Sequence, residues 1–338
     1  MRVALFSPFS RGPLRGNIIT VQRIAQHLPK AGWTPMVIPL DTTDGAQMKD
    51  RIDRFRPDLL HAFHAFYSGP AARKLALQYG LPYLITMTGS DLHDPALSRH
   101  PDAVQALADA AAVTCFDTAA AAECTGAFPT LADRTVVIPQ GVAPLSCNRP
   151  FSRPAGSFII LLPAALRPVK GVLEALTAVA PLAAEIPGLE LWLAGGDIDP
   201  QYAALVRHQA KALPWVRLLG EIPHERMGDL LAACDLVLNN SSFEGGMANT
   251  LLEAMAAAKP VIARNVPGNR SLIRHGETGW LFSDPTELRE LLRGLAGTTA
   301  TLQSVGQAAR EGVTHRFSAH READALAALY AGILQKYR

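Results

Sequence analysis

The chain has 338 residues, 49% hydrophobic and 18% charged, which is enough apolar material for two cores of roughly 150 residues each and too little charge for a disordered polymer. Lysine plus arginine number 32 against 30 acidic residues, a balance that excludes the basic footprint of a nucleic-acid binder. No stretch approaches the roughly 20 uncharged apolar residues of a membrane span, and four cysteines without a CxxC pattern argue against a disulfide framework or a zinc site and fit a reducing cytoplasm.

The opening "MRVALFSP" carries one arginine and an apolar run that stops at Pro8, too short for a signal-peptide core; a first strand is expected. Further apolar or β-branched runs follow in chain order: "PMVIPL", "DLLHAF", "YLITM", "AVTCF" and "TVVIP", with amphipathic stretches such as "IITVQRIAQHL" between them. This rhythm predicts repeated βα units and a parallel sheet covered on both faces. The stretch Gly141 to Ser157, "GVAPLSCNRPFSRPAGS", is rich in Pro, Ser and Gly and lacks periodicity. Beyond it the rhythm restarts with "FIILLPA", "LELWLAG", "WVRLLG", "DLVLNN", "PVIAR" and "GWLF", and the last segment reads as one helix from Ser318. The expected organisation is an α/β domain over 1–145, a linker over 146–157, a second α/β domain over 158–317 and a helix over 318–338.

Chemistry concentrates between Asp235 and Ala263, a strand, a glycine-containing loop, a helix and a strand. A helix N-terminus presents unpaired N–H groups and partial positive charge to an anion. Gly245 and Gly246 let the backbone approach such a ligand without a Cβ in the way, so a diphosphate suits this loop. Upstream, "LPAALRPVKG" puts Arg167 and Lys170 after a strand of the same domain, two cations able to neutralise a departing diphosphate. Glu253 is open to two readings, as a ligand group in a first helical turn or as the acid of a capping box Thr250-Leu-Leu-Glu253. Asp197-Ile-Asp199 resembles a metal-binding DxD, but Asp199 stands before Pro200 and reads as an N-cap; no metal site is expected. His61 and His64, three apart on a strand, face opposite ways and make poor joint ligands, which leaves His64 to line a crevice. Gly16 and Asn17 join the first strand to the first helix, with Asn17 either a plain N-cap or part of a ligand loop.

"SSFEGGMANTLLEAMAAAKPVIARNVPGNRSLIRHGETGWLF" resembles the donor-binding signature of the family 4, or group 1, nucleotide-sugar glycosyltransferases. "DLLHAFHAFYSGPAARKLALQYGLPYLITMTGSDL", "VVIPQGV", "LRPVKG", "ELWLAGG" and "FSAHREADALAALY" fall in that family's order, so the likeness covers nearly the whole chain. Within the family it resembles the glycosyltransferase 1 domain-containing proteins, with a weaker likeness to selenosugar synthase through "TGSD". The resemblance implies a GT-B fold of two facing Rossmann-like domains and a retaining hexosyl transfer from a nucleotide diphosphate sugar to a small acceptor. It implies no metal and no cofactor beyond the sugar donor. Transfer to a selenium nucleophile, nucleotide-sugar 2-epimerisation and donor sensing without turnover are the alternatives.

Carried over residue by residue, the resemblance implies that Glu253 holds the nucleoside ribose and that Gly245, Gly246, Met247 and Ala248, leading into Asn249, contact phosphate and sugar. Arg167 and Lys170 fall to the diphosphate, Glu244 is counted with them as a catalytic candidate, and Gly16 with Asn17 falls to the donor phosphate and acceptor. Arg15, His64, Thr88 and Asp91 form the acceptor side. Three positions depart from the family pattern. Gly245 stands where the first of the family's two glutamates is usual, Ala165 where an arginine is usual, and Thr88 where a histidine often precedes glycine.

Overall fold

The computed structural model describes residues 1–11 and 16–337. They form two compact units. Unit 1 comprises Met1–Gly141, Gly245–Met247 and Phe317–Arg338, and unit 2 comprises Val142–Glu244 and Ala248–Arg316. The C-terminal helix Ala319–Tyr337 therefore packs with unit 1, and residues 146–157 contain no strand or helix.

Unit 1 holds β1 (Arg2–Ser7), β2 (Thr34–Pro39), β3 (Leu59–Phe63), β4 (Tyr83–Thr86), β5 (Ala112–Cys115) and β6 (Thr135–Val137) in the order β2-β1-β3-β4-β5-β6. Unit 2 holds β7 (Phe158–Pro163), β8 (Leu189–Ala194), β9 (Val216–Gly220), β10 (Leu236–Asn239), β11 (Val261–Arg264) and β12 (Trp280–Phe282) in the order β12-β11-β10-β7-β8-β9. All pairings are parallel. Each of the twelve apolar runs named above became a strand. The central runs lack polar alternation because helices cover both faces, so that Val3 to Phe6 and Ile159 to Leu162 are almost wholly buried, while the edge strands β2, β6 and β9 are half-buried or exposed along most of their length.

Both sheets reverse their direction of growth at one place. The chain leaves β1 for β2 on one side and returns to β3 on the other; in unit 2 the same reversal lies between β7 and β10. In open parallel sheets the loops after two such strands diverge and leave a crevice at their carboxyl ends, the usual place for a ligand.

The core of unit 1 takes one wall from the C-terminal helix, whose Ala323, Leu326, Tyr330 and Ile333 pack on Val3, Leu5, Ile24 and Phe63. Ser318 Oγ accepts from the Arg321 amide at its start. Two polar links tie the helix to the unit. The buried Arg23 guanidinium donates to both oxygens of Glu322 at 2.8 and 3.0 Å, and the hydroxyl of Tyr330 lies 2.6 Å from His61 Nδ1. In unit 2, β7, β8 and β10 meet the helices Val172–Val179 and Pro200–Lys211 over Leu162, Leu176, Leu193 and Val206. Asp199 caps the second of these helices, accepting from the amides of Gln201 and Tyr202, with Pro200 following as expected.

Candidate functional site

At the switch point of unit 2 the loop after β7 is drawn against its neighbours by close backbone contacts. Gly195 admits no side chain, since a Cβ there would stand 1.9 Å from the carbonyl oxygen of Ala164. The turn Pro168–Lys170 ends at Gly171, with φ +60 and a virtual Cβ 2.4 Å from the Asn240 carbonyl; both facts require glycine. The end of β10 and the loop after it answer with three buried polar residues, Asn239, Asn240 and Ser241. Asn240 Nδ2 donates to the Gly171 carbonyl at 2.6 Å and the Ser242 amide to that of Val169 at 2.9 Å.

This stitching brings two predicted residues together. Lys170 Nζ and Glu244 Oε1 are 2.7 Å apart, their side chains only 18% and 12% exposed. Asn239 Nδ2 donates to the same oxygen at 3.1 Å, and its own Oδ1 accepts from the Ser241 amide and from buried Asn269. Burial pushes the Glu244 carboxyl upward, but the charge of Lys170 and hydrogen bonds from Lys170, Ser241 and Asn239 outweigh it and hold the group below its ordinary range. Glu244 is therefore an anion. Its ammonium partner has three N–H groups, so a diphosphate can be bound without breaking the pair. Arg167 precedes this turn and is exposed.

Glu253 lies in the helix Asn249–Ala256, whose N-cap is Ala248 without a side-chain cap. The capping-box reading is thereby corrected. The helix begins before Thr250, so Glu253 is its fifth residue and is not in the first turn. Its carboxylate is 4% exposed at residue level and bonds His224 Nε2 at 2.7 Å through Oε1. Oε2 is buried with no hydrogen-bond partner among the described residues. Met247 and Ala248 are buried and Gly245, Gly246 and Asn249 half-buried; Gly245–Met247 group with unit 1 and the others with unit 2.

In unit 1, His64, Thr88 and Asp91, three of the residues named for the acceptor side, gather at the carboxyl ends of β3 and β4. Asp91 is wholly buried, accepting from the Thr88 and Gly89 amides through Oδ1 and from the Ala65 amide through Oδ2, at 2.8 to 2.9 Å. His64 has left-handed backbone, φ 84. Its Nδ1 accepts from the Phe66 and Tyr67 amides at 3.2 Å, which leaves Nε2–H to donate to Ser90 Oγ at 3.0 Å. Burial pushes this imidazole below its ordinary range, against the opposing charge of Asp91. The N-cap reading of Asn17 is corrected, since the helix Gly16–His27 already includes it; its Nδ2 reaches Thr88 Oγ1 at 3.4 Å. Gly16 is exposed at the helix start. Arg15 lies outside the described residues.

Sequence reading missed His224, Asn239 and Asn269. Two adjacent asparagines ending an apolar strand were a signal, because buried amides need partners; a single histidine in "IPHERM" gave none. No His, Cys, Asp or Glu cluster able to hold a metal occurs among the described residues, and Asp197 pairs with Arg207. No described helix is long and apolar enough to cross a membrane. A cavity of about 780 Å³ opens at the other end of unit 2, where β7, β10 and β11 begin. Its Arg153 and Arg293 pair with Asp235 and Glu185, and its Lys259 caps the carbonyls of Ala232 and Cys234, so it lacks the chemistry gathered at the switch point.

Residues 1–144 match the family described as Glycosyltransferase Family 4, and residues 157–297 the family described as Glycosyl transferases group 1. The chain is 25% identical over 303 residues to glycosyltransferase 1 domain-containing protein 1 of Xenopus tropicalis, spanning 83% of this chain and 84% of the relative. It is 28% identical over 291 residues to a glycogen synthase of Mycobacterium tuberculosis, spanning 82% and 69%. Among solved structures, sucrose-phosphate synthase from Thermosynechococcus elongatus superposes with a TM-score of 0.83 at 21% identity, over 99% of this chain and 100% of that one. Anabaena HepE in complex with UDP-glucose gives 0.78 at 20% identity, over 98% and 99%.

Proposed function

The chain belongs to the family 4, group 1 glycosyltransferases and has their GT-B fold, and from that premise we propose that it moves a hexosyl group, with retention, from a nucleotide diphosphate sugar to the hydroxyl of a small acceptor. The observation that carries this reading is the Lys170–Glu244 pair, held by Asn239 in the crevice between β7 and β10. A diphosphate needs fixed positive charge where its leaving electrons collect. A sugar needs acceptors for its hydroxyls, and Glu244, ionised by its surroundings, is such a group.

In the proposed reaction the bond from the anomeric carbon to the diphosphate oxygen breaks and its electron pair stays on the diphosphate. The acceptor oxygen bonds the anomeric carbon on the face that was vacated, and its proton passes to a leaving phosphate oxygen. Lys170 and Arg167 stabilise the departing charge, the backbone from Gly245 to Asn249 contacts phosphate and sugar, and Glu253 holds the ribose. Because cations of the chain serve the leaving group, transfer is expected to survive EDTA. HepE was solved with UDP-glucose, which makes that donor the first to try.

Thermal-shift titration with UDP-, GDP-, ADP- and dTDP-glucose tests the reading, since a donor at about 100 times its dissociation constant stabilises by about 2.7 kcal/mol. NMR of the anomeric proton in the product separates retention from inversion. Failure of every donor to raise the melting temperature overturns donor use; an inverted product, or activity abolished by EDTA and restored by manganese, overturns the mechanism.

A further inference from the structure

We propose that His224 is a positioning residue for donor recognition, one that clamps one oxygen of Glu253 so that the other is presented to the vicinal diol of the donor's ribose. The proposal rests on the reading that Glu253 faces that ribose. Its own ground is the uneven state of the two carboxylate oxygens. Oε1 is bonded to His224 Nε2 at 2.7 Å, whereas Oε2 is buried and has no partner among the described residues.

A buried acceptor left unsatisfied is costly, more so when charged, and native folds keep few of them. A carboxylate accepts and cannot donate. The group that completes Oε2 must therefore bring hydroxyl or amide hydrogens, and a phosphate, itself an acceptor, does not qualify. A vicinal diol supplies two O–H donors side by side. Facing a carboxylate, His224 Nε2 is the donor of this bond.

The placement of His224 suits a clamp. It begins the short turn His224–Arg226 after β9, with Pro223 before it, while Glu253 comes from the helix after β10. β9 is an edge strand and β10 a central one, so two distant strand-end loops converge on one carboxylate. The His224 side chain is 28% exposed and that of Glu253 5%. The histidine thus forms the rim of a socket whose floor is the glutamate. Without it the Glu253 side chain regains rotamer freedom, and ligand binding must order it again.

Isothermal titration of the wild type with UDP, GDP and ADP, each beside its 2′,3′-dideoxy analogue, tests the proposal. The wild type should prefer the ribonucleotide over the analogue. Replacement of His224 by Ala should weaken ribonucleotide binding about tenfold, the scale of one charge-assisted hydrogen bond, and leave the analogue's affinity within about twofold. His224→Gln, which keeps an N–H at similar reach, should restore most of the difference and serves if the alanine variant folds poorly. If His224→Ala weakens ribonucleotide and analogue equally, or neither, His224 is at most a loop support and the inference fails while the donor reading stands. If the wild type binds no nucleotide, or binds both forms alike, the ribose reading fails and this inference with it.

Discussion

The two units carry their buried polar groups to different ends. At the strand ends of unit 1, Asp91 and His64 are turned inward onto backbone amides. Deeper in, His61 bridges Tyr330 and Thr86, and Thr86 continues to Thr114, at 2.6 to 2.7 Å. At the strand ends of unit 2 the corresponding groups meet other side chains, Lys170 with Glu244 and His224 with Glu253, and Glu253 Oε2 has no partner among the described residues. A polar group that satisfies backbone amides holds a loop in shape and has little left for a ligand. A group paired only in part keeps capacity for one. Burial and titratability alone therefore do not mark a site.

The comparison is broken most directly at Asp91. Replacement by Ala strands three amides that now bond a carboxylate and is expected to remove about 3 to 5 kcal/mol from unit 1. Calorimetry should show one transition falling, with nucleotide affinity unchanged in whatever remains folded. Lost affinity with an unaltered melting profile would place Asp91 among the ligand groups.

Replacing Lys170 by Ala acts in the other unit and in the other currency. The variant is expected to lose about 1.5 to 3 kcal/mol of nucleotide binding, the worth of a hydrogen bond to a charged group, and to turn over more slowly. Wild-type dissociation constants and rates in this variant would mean that the pair with Glu244 is only structural.

The two glutamates sharpen the contrast within unit 2. Glu253→Gln is expected to raise the donor dissociation constant about 10- to 100-fold, equivalent to about 1.4 to 2.8 kcal/mol. Because Glu253 caps no helix end, its melting temperature should barely move. Glu244→Gln keeps one acceptor oxygen and is expected to reduce activity less. The reverse ranking would make Glu244, not Glu253, the chief ligand group.

The smallest effect at neutral pH comes from His61, where burial pushes the imidazole down to about 3. The unfolded chain binds that proton near its ordinary value of about 6.5, so the neutral ring supports folding fully above about 6.5. Stability should be lost progressively as the pH falls from there toward 3. Melting curves over this range should slope more steeply for the wild type than for His61→Asn; equal slopes would assign the acid sensitivity to other groups.

What the sequence by itself determined is local. All twelve strands were legible as short apolar or β-branched runs, the central ones because a strand covered on both faces must be apolar along its length, and Asp199 before Pro200 was legible because a cap and its helix are neighbours in the chain. The likeness to the family was legible because its motifs recur in order. The Thr250–Glu253 spacing misled because a capping pattern says where a helix can start, and the loop leaving β10 set the start at Asn249 instead. Tertiary structure alone decided which polar groups meet. Lys170 and Glu244 lie 74 positions apart, and His224 and Glu253 lie 29 apart, joined only because parallel pairing sets β10 beside β7 and brings the loops after β9 and β10 together. The same distinction separates Asp91 from Glu253. Both are buried acids in a loop or helix after a strand, and only the number of amides folded onto each carboxylate separates the one whose two oxygens accept from the backbone from the one whose Oε2 has no partner among the described residues.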